Sequence, residues 1–447
     1  MIEACTYSIH FIILIICWYF ILKSTTPRLI PTIHNYFFLF FTSFIYIGSV
    51  FVFIENGCSN WVFIVSVWCF SLFFSISTTF FYTAQLKIRD RAVNFIDMSI
   101  TTPYPKEVVR LFAIILFLIG LIYLFRYISI IGISKLPLYY VLTFSDSYTT
   151  STIAHLREQS TKFGYYSDFR WIFRYLIPLS FFLFYGLWRA NRDAISKVLC
   201  VLVLPVTIFC LTMTFEKAAI AQFLLMWWVI NFYLSGGKKI KVKSNLCAFA
   251  AIFLILSFII AVKNKAFEIS YDQYVSRAVL SMIDRITLGQ VGPAYTYFDI
   301  FPHPFPFLGG LSFPNPLGIL PYEPFDITSF VFWIMHTEST SLGTAPTVFF
   351  TEFYANFGII GVFLSSIFVI LFFMLFSLLF YDKSKSVAKI IFGVFVMQEA
   401  ASLAISTLIS GFLLPILLRI GFLFFLYFIF VNIVTRAVRS TNRHTCS

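Results

Sequence analysis

The chain has 447 residues, of which 60% are apolar, 21% aromatic and only 12% charged, with a mean hydropathy of +0.88. Soluble domains carry about 25% charged residues, so a folded soluble protein is excluded, and 60 Phe exclude a disordered chain. The net charge of +12 is spread through short segments between apolar runs, where it sets membrane topology instead of forming a nucleic-acid surface.

Runs of roughly 20 mostly apolar residues mark membrane-crossing helices. Taken in order, the sequence predicts eleven, over about 8–22, 36–54, 61–83, 109–133, 171–188, 198–215, 218–234, 246–262, 357–380, 387–404 and 412–434. The runs do not alternate with period two, which argues against a β-barrel. No basic stretch precedes the first run and no small-residue cleavage motif follows it, so it reads as a span and not as a signal peptide. The expected fold class is an all-α polytopic membrane protein with about 11 transmembrane helices and two outer loops.

Basic residues assign the sides. One alternate set of short loops carries Lys23 and Arg28, then Lys87, Arg89, Arg91, Lys106 and Arg110, then Arg189, Arg192 and Lys197. It continues with Lys238, Lys239, Lys241 and Lys243, then Lys383, Lys385 and Lys389, and the tail adds Arg436, Arg439 and Arg443. Positive loops face the cytoplasm, which puts the C-terminus inside and the N-terminus outside. The expected organisation is helices one to four in 1–133, an outer loop in 134–170, helices five to eight in 171–262, a large outer loop in 263–356, and three helices plus the tail in 357–447. The large loop contains FPHPFPFLGGLSFPNPLGILPYEPF. Its prolines forbid a regular helix there, and its aromatics predict a packed segment. TAPTVFFTEFYANFG after it reads as helix leading into the ninth span.

Ionisable residues inside spans are functional-site hypotheses. Arg126, Glu216, Lys217, Glu399 and Arg419 all fall toward the outer ends of their spans, opposite to the topology-setting charges. The outer loops add Lys135, Arg157, Lys162, Arg170 and Arg174, then Lys263, Lys265, Arg277 and Arg285. Arg277 and Arg285, eight apart, share one face of a helix about two turns apart. A guanidinium binds two phosphate oxygens at once, so these cations suit a phosphorylated ligand. Competing structural readings are a snorkelling Arg126, a Glu399–Arg419 ion pair, and solvated charges for the loop arginines. His336 in FWIMHTESTSLG and Glu352 in TEFYANFG are the candidate acid/base groups, against a merely structural histidine and a solvent-facing glutamate. Eight cysteines show no metal-ligand spacing, and no metal cluster, P-loop or GxGxxG motif is present; no cofactor is expected.

The layout, together with LREQSTKFGYYSDF in the first loop, TFEKAAIAQF between spans six and seven, SRAVLSMIDRITLGQ followed by FPFLGGLSF, and GTAPTVFFTEFYANFGIIGVF entering span nine, resembles the bacterial O-antigen polymerase (Wzy) family. The likeness covers most of the chain and is one of layout more than identity. The related O-antigen ligases have a His eleven residues before a Gly; counting back from Gly358 gives Thr347, which favours polymerase. An Arg-(ten residues)-Gly pattern of some polymerases is not met by Arg157, Arg277 or Arg285.

The resemblance implies a GT-C-like multi-pass protein of the bacterial inner membrane, with a periplasmic N-terminus and a cytoplasmic C-terminus. Its implied activity transfers a growing glycan from undecaprenyl pyrophosphate onto a new lipid-linked repeat unit at the periplasmic face. Glu352 and His336 would be the catalytic candidates. Arg157, Arg277, Arg285, Lys217, Arg126 and Arg419 would bind the pyrophosphate. Partners would be the lipid-linked oligosaccharide, membrane lipids, a chain-length regulator and a flippase. The alternatives are O-antigen ligase and a lipid-linked oligosaccharide flippase; an ion or solute transporter is a further one.

Overall fold

A computed structural model describes residues 2–25, 30–56, 60–143, 150–161, 166–214, 216–237, 288–315, 318–319, 321–336, 344–345 and 347–444. These residues are overwhelmingly helical, and their single β feature is an isolated bridge between Thr101 and Ser386. In chain order the helices are α1 (Ile2–Thr25), α2 (Ile33–Glu55), α3 (Trp61–Thr83), α4 (Ile88–Asp97), α5 (Lys106–Ile131), α6 (Pro137–Thr143) and α7 (Thr150–Thr161). Then follow α8 (Phe169–Asn191), α9 (Ala194–Thr212), α10 (Lys217–Leu234), α11 (288–300), α12 (Ile327–Met335), α13 (Phe349–Phe380), α14 (Val387–Ser402) and α15 (Ile409–Ala437).

Eight helices among the described residues are long and apolar enough to cross a bilayer: α1, α2, α3, α5, α8, α9, α13 and α15. The chain is therefore an all-α polytopic membrane protein. Of the other three expected spans, 218–234 falls on the shorter apolar helix α10. The span expected at 387–404 is α14, with 16 residues, about 24 Å at 1.5 Å per residue. Residues 246–262 lie outside the described residues.

The contacts divide into two compact units. The first comprises Met1–Phe95, Leu280–Lys383 and Val396–Leu417. There α1 and α13 pack against α3 over a cluster of phenylalanines. Phe37 meets Phe74 at 5.3 Å and Phe373 at 5.3 Å, and Phe70 meets Phe349 at 5.2 Å. The Phe37–Phe373 and Phe70–Phe349 pairs are edge-to-face, and such pairs add to the burial of their area. Several polar groups in this core are paired across helices. His10 Nε2 meets the Tyr46 carbonyl at 2.8 Å while Trp68 donates to His10 Nδ1 at 2.9 Å. His34 Nδ1 meets the Tyr82 hydroxyl at 3.1 Å, and Tyr36 donates to Gln398 Oε1 at 2.7 Å.

The second unit comprises Ile96–Val279, Ser384–Phe395 and Leu418–Ser447. Its centre is α8, flanked by α5, α9 and α10 and carrying Phe181 and Phe182 against Phe223 at 5.3 and 5.0 Å. Gly120 and Gly186 set the spacing, since a Cβ on either would stand 2.5 Å from Ile177 or Val387. Asp193 caps α9 by accepting from the Ser196 amide at 3.1 Å, and Arg110 donates to the same carboxylate at 2.6 Å. Burial opposes the ionised form of Asp193, but the Ser196 and Arg110 bonds outweigh it and hold the carboxyl below its ordinary value. Lys385 is buried, 1% exposed, and donates to the carbonyls of Ile96 at 2.7 Å and Met98 at 3.2 Å. Those carbonyls lie at the end of α4, where helices leave acceptors unsatisfied.

Candidate functional site

The expected helix leading into span nine is present, but it is not straight. α13 bends at Gly358, whose φ of 62° and ψ of −148° belong to a region that essentially only glycine occupies. In an unbroken helix the carbonyls of Ala355 and Asn356 would bond the amides four residues on. The bend frees them, and the Pro-rich segment takes them. The Leu308 amide donates to Ala355 O at 3.0 Å and the Gly309 amide to Asn356 O at 3.1 Å. The Gly310 amide completes the clamp by donating to Asn356 Oδ1 at 2.8 Å. Beyond the bend, Gly361 passes so close that an added Cβ would lie 2.1 Å from the Phe353 carbonyl oxygen. The Pro-rich segment is thus docked onto the first turns of α13 by main-chain bonds, and Phe313 lies 5.0 Å from Phe353 and 5.8 Å from Phe357.

Glu352 sits at the centre of this junction. It is 2% exposed. Ser312 donates to its Oε1 at 3.4 Å, and Ser312 in turn accepts from Asn356 Nδ2 at 2.7 Å. The other carboxyl oxygen, Oε2, is buried with no hydrogen-bond partner among the described residues. Helix α11 closes this side. Phe298 stacks on Tyr354 at 3.8 Å, Tyr354 donates to Phe301 O at 3.2 Å, and Thr347 donates to Gln290 O at 3.0 Å. The arrangement offers a buried carboxyl with one oxygen uncommitted, covered by a loop rich in aromatic rings.

His336, the other acid/base candidate, ends α12. It is exposed, with its ring 4.5 Å from that of Phe332. No hydrogen bond joins it to Glu352 among the described residues.

The second unit holds a separate set of charges. α8 carries a π-turn at Ile172–Leu176, and Arg174 on that turn is ion-paired with Glu216, the residue that precedes α10. Arg170 lies 4.0 Å from the same carboxylate. A second π-turn, Ile416–Gly421, carries Arg419, whose guanidinium stands over the Tyr175 ring at 5.6 Å. That is a cation–π distance, and π-turns are frequent at functional sites. Lys217 opens α10, with its side chain outside the described residues. Arg126 on α5 and Arg157 on α7 are exposed. Arg277 and Arg285 lie outside the described residues. Of the described residues chosen from the sequence, only Glu352 stands in a buried polar junction within the first unit. Ser312 and Asn356 were not chosen; an Asn four residues after the glutamate on one helix face was the available signal.

No family model matches the chain, and no curated protein or solved structure matches it.

Proposed function

We propose that the protein is a membrane glycosyltransferase of the O-antigen polymerase kind. It transfers a growing glycan from undecaprenyl pyrophosphate onto a new lipid-linked repeat unit at the periplasmic face of the bacterial inner membrane. In this reading α10, residues 246–262 and α14 supply the crossings beyond the eight long helices, giving eleven in a GT-C-like arrangement. The observation that carries it is Glu352: a buried carboxyl, oriented through one oxygen by Ser312 and uncommitted at the other, beside a docked aromatic loop.

The chemistry follows from that group. The acceptor hydroxyl must lose a proton as it attacks, and a positioned carboxylate takes it. The departing diphosphate gathers negative charge, which fixed cations stabilise. Arg157, Arg277, Arg285, Lys217, Arg126 and Arg419 are the candidates for that role by their guanidinium and ammonium chemistry. The aromatic loop gives sugar rings apolar faces to stack on, and His336 stands as a second acid/base candidate.

The test is the lipopolysaccharide profile of a deletion strain complemented with Glu352→Gln. Losing a general base costs about 10²–10⁴ in rate, so glycan ladders should collapse to a single repeat unit on the core while protein level is kept. A normal ladder with Glu352→Gln overturns the assignment. A deletion strain with no repeat unit on the core would instead indicate a ligase or a flippase.

A further inference from the structure

Two oxygens on the helices beside the docked loop are buried without a hydrogen-bond partner among the described residues: Glu352 Oε2 and the hydroxyl of Tyr297. Tyr297 is 0% exposed. Leaving such a group unpaired in an interior costs about 1–3 kcal/mol, and a ligand that satisfied both of these, on adjoining helices, would recover that cost. Neither side chain is placed by accident. Tyr297 precedes Phe298, which stacks on Tyr354, two residues beyond Glu352. Helix α11 and the residue after it are tied to the start of α13 and the residues before it, by Thr347 to Gln290 O and by Tyr354 to Phe301 O. Burial first, and then the nearby charges of Glu352 and Asp326, push the Tyr297 phenol upward, so it stays a neutral O–H donor. Glu352, held through Oε1 by Ser312, offers Oε2 as an acceptor.

The Tyr297 hydroxyl lies within electrostatic reach of the Glu352 carboxylate, and a donor and an acceptor on adjoining helices match neighbouring hydroxyls of a sugar ring. We propose that Tyr297 binds the acceptor sugar, donating a hydrogen bond to the hydroxyl adjacent to the one whose proton passes to Glu352. This rests on the polymerase reading. In the transfer, the attacking hydroxyl oxygen forms a bond to the anomeric carbon of the donor glycan. The bond from that carbon to the diphosphate oxygen breaks, its electron pair leaves on the lipid diphosphate, and the hydroxyl proton ends on Glu352. Tyr297 keeps its own proton throughout, so its contribution is to acceptor binding and register.

The experiment uses the full-length protein in lipid nanodiscs with the lipid-linked repeat unit extracted from the deletion strain. Tyr297→Phe removes only the hydroxyl. It should raise the acceptor KM by about three- to tenfold, the worth of one neutral hydrogen bond, with kcat retained. An unchanged KM, or a fall in kcat with KM kept, overturns the proposal. A second arm keeps the hydroxyl: with 3-fluorotyrosine at position 297, the fluorine resonance should move when the repeat unit is added, and an unmoved resonance also overturns it. A fluorotyrosine-labelled protein that shifts this resonance but joins no repeat units would sink the polymerase reading and leave a glycan site at Tyr297. One that joins units without moving it would do the reverse.

Discussion

Gly358→Ala tests the bend on which the candidate site depends. At φ 62° and ψ −148° an alanine carries about 1–3 kcal/mol of backbone strain. Its Cβ would also stand 3.0 Å from Cζ of Phe307, so the ring must yield by a few tenths of an ångström. The chain can escape the strain by returning to helical angles. Ala355 and Asn356 would then bond along the helix again and release the Leu308 and Gly309 amides, at about 0.5–1.5 kcal/mol each. By either route the docked loop loses about 1–3 kcal/mol, a shift of roughly 5–150-fold in its population. Limited proteolysis of the Pro-rich segment in detergent should show faster cleavage in the variant and, on the polymerase reading, the glycan ladder should shorten. Wild-type protease resistance together with a wild-type ladder would refute the reasoning. Gly361→Ala is the harsher companion, because the obstacle is the Phe353 carbonyl oxygen at 2.1 Å, a main-chain atom that cannot rotate away.

Two further expectations concern the second unit. Lys385 is pulled down from 10.5 to about 8, chiefly by burial, with Asp97 opposing. A lysine depressed in the folded state binds fewer protons than in the unfolded chain between those values, so stability rises with pH from about 8 to 10.5. The gain is on the order of 3 kcal/mol. Thermal unfolding in detergent should show that rise against Lys385→Met, and equal pH slopes for the two proteins would dismiss it. Arg174 and Glu216 form a partly buried pair, with side chains 22% and 10% exposed. Arg174→Gln and Glu216→Gln should each destabilise, while the double variant should lose less than their sum by about 0.5–3 kcal/mol; strict additivity would argue against coupling.

The spans were legible because their apolar runs are continuous and need no partner to be recognised. The expected third span, 61–83, coincides with α3. The first and fourth begin earlier than expected, at Glu3 and Lys106, since a charged residue can join the exposed first turn of a helix that hydropathy alone starts later. The prolines of the segment after 300 rightly forbade a regular helix there: residues 301–315 form turns and bends. Its stretch at 288–300, by contrast, is the helix α11. The bend at Gly358 was not legible, because the strain it carries is compensated by amides 48 to 50 positions earlier, at Leu308, Gly309 and Gly310. For the same reason Glu352 could be nominated by type, but Ser312, 40 residues away, and Tyr297 could not. The site is assembled by tertiary docking, and a local pattern does not record it.

The hydrogen bond from Tyr36 to Gln398 joins residues 362 apart. A ribosome adding about 5–20 residues each second makes the second of these some 20–70 s after the first. Throughout that interval the earliest helices sit in the bilayer with an unmatched phenol and open aromatic faces, waiting for partners not yet translated. Biogenesis of this protein is therefore end-loaded: a transcript truncated before codon 398 yields inserted but unfinished helices, a natural target for membrane quality control.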